Sequence, residues 1–126
     1  MTPTSQHDTE ILILGAGMAG LSAATELQRA GRRVLVLDKG RSVGGRMATR
    51  RLGEAVFDHG AQFMTARSAR FQATLGDLIL NGAVVEWCRG FAEAADGHPR
   101  WRGHPGMTAV PKLFAKGVEV RLPARE

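Results

Sequence analysis

One cysteine, Cys88, is all that this 126-residue chain contains. That excludes an intrachain disulfide framework and any cysteine-based metal site, and it fits a reducing compartment. The four histidines, His7, His59, His98 and His104, do not have the spacing of metal ligands, so no metal is expected. Long apolar runs are also missing. Ile11 to Leu14 is far too short for a signal-peptide core or a membrane span, and Met1 to Glu10 carry no basic stretch before it. The expected location is the cytoplasm, with no membrane partner. The net charge of +5 raises the question of nucleic acid. Yet the basic residues are scattered from Arg29 to Arg125 and no aromatic side chains interleave with them as a stacking platform would require. Local positive charge beside glycine-rich turns suits a phosphate-bearing small molecule instead.

Glycine is abundant, with sixteen residues, and several occur in clusters. Clustered glycine suggests backbone that approaches a ligand closely. Ile11-Leu12-Ile13-Leu14 is apolar at every position, the pattern of a strand buried on both faces of a parallel sheet. It runs into Gly15-Ala16-Gly17-Met18-Ala19-Gly20 and then into helical periodicity, with Gly20, Ala23, Ala24, Leu27 and Ala30 on one side and Gly31 as the stop. Val34 to Leu37 reads as a second buried strand, ending at Asp38. The whole is a βαβ unit of about 30 residues.

Within that unit each glycine of Gly15-x-Gly17-x-x-Gly20 has a physical task. Gly15 permits the tight turn, Gly17 admits a pyrophosphate against the backbone, and Gly20 lets the helix pack on the sheet. The helix N-terminus at Met18 and Ala19 offers unpaired N–H groups and a positive dipole end to a diphosphate. Asp38 can accept hydrogen bonds from a ribose diol, and a carboxylate there disfavours a 2′-phosphorylated ribose. The bland alternative is a βαβ unit whose glycines serve packing alone.

Gly40 to Gly60 reads as loop around a short helix. A second helix begins after Ser68 with Phe71, Leu75, Leu78 and Ile79 as its inner face, followed by an extended Ala83 to Trp87 and an irregular Arg89 to Arg102. A third helix starts near Gly106 or Met107, holds Pro111 in its first turn and runs to about Lys116. Val118 to Leu122 is a further strand, placed beside the second to give the order 3-2-1. Gly44 and Gly45 should leave backbone amides open to an oxygen-rich ligand. Arg46 offers five donors to phosphates or to a cofactor's edge, or else pairs with a surface acid. Trp87 and Trp101 read as packing, and His59 as a hydrogen-bonded neighbour.

Three stretches together resemble the amine-oxidase superfamily of flavoproteins, and renalase-like members most of all. They are the Asp38-Lys39 strand end, Gly44-Gly45-Arg46-Met47, and Asp58-His59-Gly60-Ala61-Gln62-Phe63. The likeness continues through Pro105 to Ala109 and Gly117 to Arg121. It implies an α/β, Rossmann-like FAD-binding domain, and residues 1–126 would form its N-terminal part, with remaining strands and the substrate domain absent. It implies FAD as cofactor. Lys39 at the strand end would be among the cofactor-binding residues, Gly45, Arg46 and Met47 would lie along the diphosphate and ribityl chain, Gly60, Ala61, Gln62 and Phe63 near the isoalloxazine ring, and the backbone of Val120 at the adenine. The activity implied is oxidation of a small-molecule amine or a reduced nicotinamide by hydride transfer to FAD. A non-catalytic dinucleotide-binding module and an NAD-dependent dehydrogenase share the first motif and stay open as alternatives.

Overall fold

A computed structural model describes residues 8–94 and 96–123. His7 and the polar lead-in before it, and the Ala124 to Glu126 tail, lie outside the described residues. Strand β1 (Ile11–Leu14), helix α1 (Met18–Arg29) and strand β2 (Val34–Leu37) form the expected unit, the two strands pairing in parallel from Ile11 opposite Val34 to Leu14 opposite Leu37. The last strand, β7 (Glu119–Arg121), pairs in parallel with the other side of β2, with Val120 opposite Val36. The third sheet strand therefore lies beside the second, in the order 3-2-1.

One face of this sheet carries the first core. Ile11 and Ile13 pack against Val34, Val36, Leu21 and Ala24, and the last three are fully buried. On the other face β1 is open among the described residues, with Leu12 and Leu14 54% and 78% exposed, while Leu35 opposite Leu12 is buried. β1 is thus covered on one side only, because α1 and the later helix α3 (Ala109–Ala115) both contribute to the cluster on the Ile11 and Ile13 side. The inner face of α1 is also turned from the expected wheel, with Leu21 and Ala24 inward and Ala23 and Ala30 exposed. The close approach at Gly20 sets that rotation. A Cβ there would stand 2.0 Å from the Gly15 carbonyl oxygen and 3.3 Å from Ile13 Cγ2, so the helix rests directly on the strand and its turn.

Between the second and last sheet strands the chain is more structured than its sequence suggests. A short 3-10 helix (Gly45–Met47) leads into an antiparallel hairpin, β3 (Thr49–Leu52) and β4 (Ala55–Asp58), that turns at Gly53. Helix α2 (Ala69–Leu80) is capped by Ser68, whose hydroxyl accepts from Phe71 N–H at 3.2 Å. Leu75 and Leu78 are buried, whereas Phe71 and Ile79 remain more than a third exposed and are not core. The strip of contact along α2 is narrower than its apolar face. Strand β5 (Val84–Cys88) pairs antiparallel with β6 (Arg100–Gly103), which falls in the stretch expected to be irregular, and Trp101 of β6 also bridges to Met64. Pro111, third residue of α3, sits where no intrahelical N–H is needed. Val110 joins Leu75, Leu78, Ala83 and Val84 in a second core, with Trp101 packed against it.

Candidate dinucleotide site

Gly15 has φ of +109°, a backbone conformation that side-chain-bearing residues rarely adopt, and its N–H donates to the Leu37 carbonyl at 2.7 Å. That bond ties the end of β1 to the end of β2. It brings the turn beside Asp38, whose carboxylate accepts from Ala16 N–H and from Gly40 N–H, each at 2.6 Å. These two amides, the Ala16 one foremost, hold the Asp38 carboxyl below its ordinary value, with a lesser contribution from Lys39 and against a modest opposing effect of burial. Asp38 is thus a fixed anion at the strand end, and its oxygens keep lone pairs for further donors. The ribose-facing expectation for Asp38 gains a second task, because the side chain also organises the glycine turn.

The two glycine segments clasp each other. Gly44 N–H donates to Ala16 C=O at 2.8 Å, and Gly17 and Gly44 form a parallel bridge. The amide of Gly44 is therefore not open to a ligand, contrary to expectation; it holds the two loops together. Gly45 (φ +53°) lies so near the first loop that its Cβ would stand 3.5 Å from Gly17 Cα, while a Cβ at Gly17 would meet nothing within 4 Å. Bare backbone faces the solvent at Gly17. A cleft of about 800 Å³ opens beside it, lined by Leu14, Gly15 and Gly45 on one side and Asp38 to Ser42 on the other. Side chains of Lys39 and Arg41 are exposed at this cleft. Arg46 is exposed too, and among the described residues no acid pairs with its guanidinium.

Val120 borders the same end of the sheet. Asp38 N–H donates to Arg121 C=O at 3.1 Å, and backbone groups of successive strand residues alternate in direction. The N–H and C=O of Val120 therefore point away from β2, toward the open edge.

The third segment joins through the backbone of Arg46. Ala61 N–H donates to Arg46 C=O at 2.9 Å, and a Cβ on Gly60 would stand 2.0 Å from that same oxygen. Gly60 to Phe63 thus runs alongside Gly45 to Met47. Gln62 and Phe63 are exposed, and Phe63 clusters with Phe91 and Trp87 at ring-centroid distances of 5.3 and 6.2 Å. A second groove of about 800 Å³ passes Met18, Met47, Ala61 and Phe63 and continues between α1 and α2. His59 is exposed and Cys88 half-buried. Trp101 packs in the core as expected, whereas Trp87 is 47% exposed.

All the expected site residues therefore lie along one path, from Val120 and Asp38 past Gly15 to Gly20 and Gly45 to Met47, to Gly60 to Phe63. A strand, a glycine turn with its acidic partner bonded across it, and a second glycine segment clasped to the first make a pattern that sequence comparison also finds. The model of the NAD(P)-binding Rossmann-like domain matches residues 13–78, 66 of the 126. The chain belongs to that family. As a Rossmann-like chain it is similar to a Mycobacterium tuberculosis protein that carries the name flavin-containing monoamine oxidase AofH, with 44% identity over 90% of this chain and 28% of that protein. It is also similar to the flavin-dependent L-tryptophan oxidase RebO of Lentzea aerocolonigenes, 48% identical over 40% of this chain and 11% of that one. Among solved structures, putrescine oxidase bound to putrescine superposes with a TM-score of 0.52 and 31% identity, over 75% of this chain and 22% of the oxidase. The chain thus spans less than a third of the length of these relatives. No helix among the described residues is long and apolar enough to cross a membrane.

Asp58, Thr49, Met107 and Thr108 form a hydrogen-bonded group next to this path that residue patterns alone do not single out. The one available signal was Asp58 itself, standing two residues before Gly60 in the segment that resembles the flavoproteins.

Proposed function

We propose that this chain is the FAD-binding portion of a flavin-dependent oxidoreductase of the amine-oxidase type. Asp38 would face the adenosine ribose. The bare backbone at Gly17 and the N–H groups at Met18 and Ala19 would receive the diphosphate, with Gly20 letting α1 come close enough to do so. Lys39, Gly45, Arg46 and Met47 would line the diphosphate and ribityl chain, Gly60 to Phe63 would border the isoalloxazine ring, and the free peptide groups of Val120 would meet the adenine. The observation that carries this reading is the clasp between Ala16 and Gly44. An isolated Rossmann turn serves any dinucleotide. Here a second glycine segment with an unpaired arginine is bonded onto the first, which extends the site beyond the ADP half that FAD and NAD share.

The donor set fits the group. Exposed Lys39, Arg41 and Arg46 supply positive charge for a diphosphate, and Asp38 disfavours an extra 2′-phosphate. When bound, the flavin ring supplies the hydride acceptor, and the chain's own residues bind it, orient it and set the local field. The substrate would be a small-molecule amine or a reduced nicotinamide. The single cysteine fits a cytoplasmic protein.

The test is titration of FAD into the purified chain, following quenching of flavin fluorescence, with Arg46→Ala in parallel. Quenching that weakens about tenfold or more in the variant, the loss of a charge-assisted contact, is the expected result. Binding of NAD as tight as FAD, untouched by the substitution, would instead favour a dehydrogenase-type site.

A further inference from the structure

Asp58 ends β4, and its side chain turns back into the fold. Its Oδ1 accepts from the Thr49 hydroxyl at 2.6 Å and from Met107 N–H at 2.9 Å, and the Thr49 oxygen accepts from Thr108 N–H at 3.0 Å. Two side chains thus join three remote pieces of chain. Thr49 follows directly on Ala48, whose N–H bonds to Gly45 C=O in the second glycine segment. Asp58 leads directly into Gly60 to Phe63. Met107 and Thr108 lead into α3 and, beyond it, β7 with Val120. Contact among them is direct: a Cβ on Gly106 would lie 2.7 Å from both Thr49 Cγ2 and Oγ1.

Hairpin pairing alone does not require this arrangement. Thr49 and Asp58 already face each other in the β3–β4 ladder. What the carboxylate adds is a bond to the Met107 N–H, in the segment that leads into α3. Asp58 and Thr49 thus tie the hairpin to the two residues that precede α3, 49 and 59 residues away.

We propose that Asp58, acting through Thr49, is a positioning residue that fixes the spacing between the Gly44–Met47 segment and the Gly60–Phe63 segment along which FAD would lie. This rests on the cofactor reading above. A ligand that reaches both segments needs them at a set separation, and each added freedom in that separation weakens binding. A ligand that reaches the glycine turn, Asp38 and the Gly44–Met47 segment but stops short of Gly60–Phe63 does not. FAD and ADP are such a pair.

The experiment measures Kd for FAD and for ADP on the full chain and on Asp58→Ala, Asp58→Asn and Thr49→Val, with circular dichroism to follow the fold. Asp58→Ala is expected to raise the FAD Kd about tenfold or more and to move the ADP Kd by less than about threefold. Asn keeps one carbonyl oxygen, and both bonds fall on one oxygen, so Asp58→Asn is expected to stay within about twofold of the parent for both ligands. Thr49→Val should repeat the split between FAD and ADP. Equal weakening of both ligands, an unchanged FAD Kd in Asp58→Ala, or loss of the fold in both Asp58→Ala and Thr49→Val would overturn the inference. A parent chain that binds neither ligand would overturn the cofactor reading and this inference with it. A parent that binds both, with variants that show no split, would overturn this inference alone.

Discussion

The glycine turn at Gly15–Gly20 and the segment Gly60–Phe63 border one continuous path, but they are held in different ways. The first is held mainly from within its βαβ unit, where Gly20 seats on Gly15 and Ile13 and Asp38 reaches back 22 residues to Ala16, and by Gly44 shortly after it. The second hangs on Arg46 C=O and on Asp58, whose partner at Met107 lies 49 residues away. A βαβ unit with local contacts can form its half of the site as it folds. The other half exists only once α3 has docked. In the first half Asp38 is held as a fixed anion by its two amides.

The strongest way to break the comparison is Gly20→Val. The new Cβ meets the Gly15 carbonyl at 2.0 Å, so α1 must lift off β1. Destabilisation of about 3 kcal/mol in urea denaturation is expected, with loss of both ADP and FAD binding. Gly60→Ala puts a Cβ 2.0 Å from Arg46 C=O, and about 2 kcal/mol is expected there, with FAD weakened and ADP spared. Equal loss of ADP would show that the two halves are not separable.

A smaller effect concerns pH. The Asp38 carboxyl is held below its unfolded value, so it contributes stability at higher pH. That contribution is lost as pH falls below about 4 and through the folded value. Asp38→Asn should flatten this part of the acid limb when urea midpoints are compared between neutral and acidic pH, and an unchanged limb would contradict the bonding at Ala16. The smallest effect is expected at Arg29, paired with Glu26 at 2.9 Å on the open side of α1 with both side chains more than half exposed. Arg29→Ala should change stability by no more than about 0.5 kcal/mol in the same assay.

What was legible from sequence follows the same division. β1, α1, β2 and β7 announce themselves through apolar runs, a periodic helix and a glycine motif with an acid at the right distance. Ser68 and the apolar positions of α2 mark that helix, though Phe71 and Ile79 show that periodicity overstates burial. The β3–β4 hairpin leaves no such trace. Arg50, Arg51, Leu52, Val56 and Phe57 are all exposed, so neither face imposes an alternation. β6 is Arg-Trp-Arg-Gly, and it is made a strand by its pairing with β5 and by the bridge from Trp101 to Met64 rather than by its composition. In the site, Gly15 to Gly20 and Asp38 could be read directly. The use of the Gly44 amide on Ala16, and the bonds from Asp58 and Thr49, could not, because hydrogen bonds between remote segments carry no local pattern.

The most direct test of the central claim is a map of amide chemical shifts on the isotopically labelled chain as FAD is added. The account predicts perturbations at Gly15 to Gly20, Asp38 to Met47, Gly60 to Phe63 and Val120, with exposed Leu12 of β1 and Leu80 at the end of α2 unmoved. Perturbations confined to the groove between α1 and α2, at Thr25, Arg70 and Thr74, would contradict it.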